Sequence, residues 1–144
     1  MKLITQEQRN RLIANFRANQ QGPTEQDHWP VVRLFTPDAG ATWLFTEFDP
    51  IEELFFGLCD LGMGFPELGY VSLAEITGLR GRLGLPVERD RHWEARGPLS
   101  AYAEAARKAD RITEPEGRHK PPSSSLLFID CSCYLRAIRI SWLS

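Results

Sequence analysis

The chain has 144 residues, 42% of them hydrophobic and 25% charged, and a formal net charge of −2. That size suits one domain able to bury roughly two-thirds of its unfolded surface, so the fold needs neither a disulfide nor a metal. The charged opening "MKLITQEQRNRLIANF" is not a secretory h-region, and no run approaches the ~18 apolar residues of a membrane span.

Chain order predicts an α+β fold: an antiparallel β-meander or small sheet packed with about three helices. Thr5 and Gln8 form a capping box, and Leu12, Ile13 and Phe16 then share one helical face until Gly22-Pro23 stops the helix. "VVRLF" (Val31–Phe35) and "ATWLFTEF" (Ala41–Phe48) flank the turn "TPDAG" and read as a hairpin. "LFFGLCD" (Leu54–Asp60) gives a third strand, and "LGMGFPE" turns the chain into a fourth, "LGYVS". Ser72 and Glu75 suggest a second capping box, opening a short helix that Gly78 or Gly81 closes. "LPVERDRHWEA" reads as an exposed edge strand, because charges fall on both of its faces. Ser100 is expected to cap the alanine-rich helix "AYAEAARKADR". The domain is expected to span 1–115. Residues 116–125, within "EPEGRHKPPSSS", read as a linker, and 126–144 as a C-terminal strand whose apolar register shifts midway, as a bulge would shift it.

The densest chemical signal is "FGLCDLGMGFPELGYVSLAEI", Phe56 to Ile76. Gly62 and Gly64 lack the third glycine of a dinucleotide fingerprint, and no lysine stands nearby for a phosphate loop. The glycines therefore read as chain-turning residues. Cys59 lies in an apolar strand pattern that favours an inert thiol. Three cysteines, Cys59, Cys131 and Cys133, with no secretion signal imply reduced thiols in a cytoplasmic protein. The CxC spacing and the three histidines give no zinc pattern, so no metal or other cofactor is expected.

Charge is distributed unevenly. From Leu34 to Leu79 there is no lysine or arginine but eight acids, whereas residues 1–33 carry a net +2 and residues 80–144 a net +4. The middle third is thus a source of negative potential, which repels nucleic acid and attracts basic partners. Asp38, Glu47, Asp49, Glu52, Glu53, Asp60 and Glu67 are the candidate partner-binding residues. The bland alternative makes Asp38, Asp49 and Asp60 turn and strand-end acids. Arg80, Arg82, Arg89, Arg91 and Arg96 form a basic strip near Trp93, but Glu88, Asp90 and Glu94 interleave with it, so direct nucleic-acid binding is not expected.

At "LFTPDAGATWLFTEFDP", "FGLCDLGMGFPELGYVSLAEI" and "PLSAYAEAAR" the chain resembles a family of small proteins grouped as a domain of unknown function. Its members are carried by plasmids, phages and integrative elements, often near antirestriction genes. The resemblance runs from about Lys2 to Thr113 and supplies no catalytic residues. It implies a mobile-element accessory protein that blunts host defence, of the anti-restriction or anti-CRISPR type.

Two expectations of different class follow. In the first, a non-enzymatic inhibitor or adaptor binds a host nucleic-acid-handling protein through the acidic face. In the second, a metal-dependent hydrolase or nuclease uses Asp38, Glu47, Asp60 and Glu67 as a carboxylate cluster. Oligomeric state stays open.

Overall fold

The structure is a computed structural model that describes residues 3–117. The expected strand over 126–144, with Cys131 and Cys133, and all but the start of the expected linker lie outside the described residues.

The first helix, α1, spans Gln6–Gln21 and begins as its capping box predicts: Thr5 Oγ1 accepts the Gln8 N–H at 3.1 Å, and Gln8 Oε1 accepts the Thr5 N–H at 3.0 Å. Four strands follow: β1 (Val32–Phe35), β2 (Thr42–Asp49), β3 (Leu54–Asp60) and β4 (Glu67–Ser72). The short helix α2 (Leu73–Gly78) starts where the Ser72 hydroxyl accepts the Glu75 N–H at 3.0 Å. A two-residue strand, β5 (Glu88–Arg89), and the helix α3 (Leu99–Ala109) complete the described elements. The five strands form one antiparallel sheet in the order β4-β3-β2-β1-β5. The architecture is α+β, as the sequence predicts.

Both faces of this sheet are covered. Leu12 of α1 and Ile76 of α2 pack with Val32, Leu34, Trp43, Phe45, Phe48 and Phe55 on one face. Leu99, Tyr102, Ala103 and Ala106 of α3 pack with Leu44, Phe56, Leu58 and Leu68 on the other. Two-sided burial explains why "WLF" in β2 is continuously apolar instead of alternating. The register of β2 on β3 slips between Phe45 and Glu47, so Thr46 forms a bulge. The extra residue lets Phe45 and Phe48, three positions apart, face the same core, where both rings contact Phe55 with centroids 4.6 and 4.7 Å away. Gly57 is required at the strand centre, because a Cβ there would overlap the backbone carbonyl of Leu44.

Two sequence expectations are corrected. Ser100 is not the cap of α3: the helix begins at Leu99 after Pro98, which offers no side-chain cap bond. Its first turn is instead satisfied by the distant loop at 27–28. The Leu99 N–H donates to the His28 carbonyl at 3.0 Å, and the Ser100 N–H donates to Asp27 Oδ1 at 3.1 Å. The edge strand expected over "LPVERDRHWEA" does stand at the edge of the sheet but is shorter: it pairs with β1 at Glu88 and Arg89, the Asp90 N–H adds a bond to the Arg33 carbonyl at 3.0 Å, and the chain then turns.

Candidate functional site

A meander places alternate turns at opposite ends of its sheet. The β2–β3 turn, with Asp49, Glu52 and Glu53, lies at one end. The β1–β2 turn with Asp38 and the β3–β4 turn with Glu67 beside it lie at the other, separated by the ~25 Å length of an eight-residue strand. The acids therefore do not share one exterior patch.

Burial divides them further. Glu47 is 2% exposed and stands opposite Phe56, on the face that α3 covers. Asp60 is 4% exposed, and its two oxygens accept the Gly62 N–H at 2.9 Å and the Ile112 N–H at 3.0 Å. It fastens the β3–β4 turn to the segment that follows α3. Asp49 Oδ1 accepts the N–H groups of Ile51 at 2.9 Å and Glu52 at 3.2 Å, so it organises its own turn. Asp38 Oδ2 accepts the Leu83 N–H at 2.6 Å and the Leu85 N–H at 3.3 Å, which ties the β1–β2 turn to the loop before β5. Glu52, Glu53 and Glu67 remain exposed. Asp49 and Asp60 each bond their own turn, whereas the Asp38 carboxylate serves a loop remote in sequence and not its own turn.

Among the described residues no group of three or more His, Cys, Asp or Glu side chains is placed to hold a metal ion. Asp38, Glu47, Asp60 and Glu67 are not brought together. Cys59, partly buried on β3, has its thiol pushed up to about 12, first by burial and then by the neighbouring Glu67 carboxylate. A thiol so protonated is a poor nucleophile at neutral pH.

What the charge pattern missed is apolar. Leu61, Met63 and Phe65 on the β3–β4 turn are 55%, 69% and 78% exposed, and Leu83 on the loop before β5 is 80% exposed. These loops are held in place: Gly62 adopts a φ of +79° and lies against Gly40 of the β1–β2 turn, whose Asp38 grips Leu83 and Leu85. The β3–β4 turn and the loop before β5, both fastened to the β1–β2 turn, thus present large apolar side chains from one end of the sheet. The sequence signal was "LGMGFP", in which Leu61, Met63 and Phe65 alternate with residues that only turn the chain.

A cleft of about 770 Å³ is lined by Trp29, Trp93, Arg96 and Glu114 among others. Glu114 fixes its floor, accepting the Trp93 Nε1–H at 2.8 Å and the Tyr102 hydroxyl at 2.6 Å. Burial and the Glu114 bond raise the Tyr102 phenol well above its ordinary range, against a smaller opposing contribution from the Arg96 N–H.

No helix among the described residues is long and apolar enough to cross a membrane. Neither a curated protein nor a solved structure matches the chain. Residues 3–113, nearly all that is described, match the family model "Protein of unknown function (DUF2958)", and the chain belongs to that family.

Proposed function

We propose that the chain is a non-enzymatic accessory protein of a mobile element. It blunts a host defence system, of the anti-restriction or anti-CRISPR type, by binding a host nucleic-acid-handling protein. The observation that carries the binding role is the fastened loop end with Leu61, Met63, Phe65 and Leu83 exposed. Apolar side chains grouped on ordered loops are costly to leave in water and mark interaction surfaces. The absence of lysine and arginine from Leu34 to Leu79 supports a basic protein partner over nucleic acid. The host-defence role draws on the resemblance in the turn and helix phrases. Of the acids expected to bind the partner, Glu52, Glu53 and Glu67 stay available, while Glu47 and Asp60 serve the interior.

The test uses the full chain as bait in lysate from a host with an active restriction or CRISPR system. Plasmid establishment in that host is measured in parallel. The wild-type chain is expected to retain a nucleic-acid-handling protein and to raise establishment. A Met63→Asp, Phe65→Asp variant, shown to be folded by circular dichroism, should do neither. Equal retention and protection by both chains would remove the loop end from the function, and no protection by either would remove the host-defence role.

A further inference from the structure

We propose that the cleft lined by Trp29 and Trp93 takes an arginine side chain of the protein partner, its guanidinium lying against an indole and bonding the Glu114 carboxylate. This rests on the protein-binding reading above and names which group of a basic partner is held.

The cleft is held in shape by α3. Trp29 follows the loop at 27–28, which is fastened to the first turn of α3 through the Asp27 carboxylate and the His28 carbonyl. Trp93 packs against Tyr102 of α3 with ring centroids 5.8 Å apart, and its Nε1–H is spent on Glu114. The Tyr102 hydroxyl donates to Glu114 and accepts the Arg96 N–H at 3.0 Å. Both tryptophans are thus tied to one helix, so little ordering is left to oppose binding. Each is only half-buried, which leaves indole surface for a ligand.

Glu114 selects the ligand. One of its oxygens accepts Trp93 and the other accepts Tyr102, so the carboxylate is fixed beside the Trp93 ring. Its neighbour Pro115 is buried, while Glu114 itself stays exposed. A carboxylate offers about four lone-pair sites, so about two remain for a donor arriving from solvent. A guanidinium fits both features, because it is planar, stacks on an aromatic face and presents paired N–H donors to a carboxylate.

The charge of the cleft favours the same occupant. Its lining carries two carboxylates, Glu94 and Glu114, against one guanidinium, that of Arg96. Among the described residues neither carboxylate is in an ion pair. The field therefore draws in a cation and disfavours an anionic ligand such as a nucleotide. A volume of about 770 Å³ holds more than one side chain, so the backbone flanking a partner arginine enters with it.

The experiment titrates the full chain with a capped glycine–arginine–glycine peptide and follows the indole N–H resonances of Trp29 and Trp93, assigned with Trp29→Phe and Trp93→Phe. Peptides with citrulline, which keeps the shape and loses the charge, or lysine in place of arginine are the controls. The arginine peptide is expected to shift both resonances in a salt-dependent way, the lysine peptide to bind several-fold more weakly, and the citrulline peptide not to bind. Glu114→Gln, checked for an unchanged melting profile, should weaken arginine binding about tenfold. If that variant does not fold, Glu94→Gln replaces it, with an expected loss of about two- to threefold. Arg96→Ala keeps the backbone bond to Tyr102 and should tighten binding by a similar factor. Equal binding of the arginine and citrulline peptides, or weaker arginine binding by Arg96→Ala, would overturn the proposal. If the host partner is captured while the arginine peptide leaves both indoles unmoved, the cleft inference fails and the protein-binding reading stands. If nothing is captured and no peptide binds, both fail.

Discussion

Asp27 and Ser100, 73 positions apart, form the cap of α3: the Asp27 carboxylate accepts both the backbone N–H and the hydroxyl of Ser100. Asp27 is 2% exposed, so this bond is shielded from water and joins the loop after α1 to the helix on the opposite face of the sheet.

Removing that carboxylate leaves an orphan helix donor in a buried place. Asp27→Ala is expected to lower unfolding free energy by about 2–3 kcal/mol, and Ser100→Ala, which keeps the backbone bond, by about 1 kcal/mol. Urea denaturation of both single variants and the double variant checks this. The double variant should lose less than the sum, because the partners share one interaction.

Asp38 does for the loop end what Asp27 does for α3. Asp38→Ala is expected to speed amide exchange at Leu83 and Leu85 while costing only about 1 kcal/mol globally, since the loop is exposed. A Cβ added at Gly81 would overlap the Asp38 carboxylate. Gly81→Ala should therefore destabilise the wild-type chain more than it destabilises the Asp38→Ala chain, a difference that a double-mutant cycle measures.

Glu53 holds a φ of +54°, in the left-handed region that disfavours side chains with a Cβ. Its carbonyl, not its carboxylate, anchors the Leu73 N–H. Glu53→Gly is expected to be neutral or to stabilise by about 0.5 kcal/mol, and Glu53→Val to destabilise by about 1–2 kcal/mol. The shift of the urea midpoint at constant slope is the readout.

Stability should fall on the alkaline side. In the folded chain Cys59 keeps its proton up to about 12, against an ordinary value of 9.0, because burial and Glu67 disfavour the thiolate. Tyr102 likewise titrates above its ordinary 10.0, through burial and its bond to Glu114. For both groups the unfolded chain releases its proton first. Their contribution is therefore fully present below about pH 9 and is lost as pH rises through the alkaline range. Unfolding free energy measured from about pH 8 to about pH 11 should decline with a shallower slope in Cys59→Ala and Tyr102→Phe than in the wild type. An unchanged slope would mean that neither group is protected by the fold.

Local signals reported local structure. The Thr5 box, the Thr36 hydroxyl that opens "TPDAG" and accepts the Ala41 N–H, and the helix opening at Ser72 satisfy backbone groups within a few residues, so the sequence contains all the parts of each interaction. The third-helix cap was misread at Ser100 because its true acceptor, Asp27, is remote in sequence. Two acids of the middle third, Glu47 and Asp60, lie off the surface for a related reason. Charge counting does not reveal that a bulge at Thr46 sets Glu47 opposite Phe56, or that Asp60 turns inward to the Ile112 N–H.

The sequence by itself determined the α+β class, the order of helices and strands, the turning role of Gly62 and the family to which residues 3–113 belong. Those properties depend on periodicity, capping and backbone freedom, which are encoded over a few neighbouring residues. Only the tertiary structure decided which acids face water, which apolar residues stay outside and which strand is left at the edge. Each of these depends on what packs against a residue from elsewhere in the chain. The two-sided burial of the sheet by α1, α2 and α3 is the contact that decides most of them.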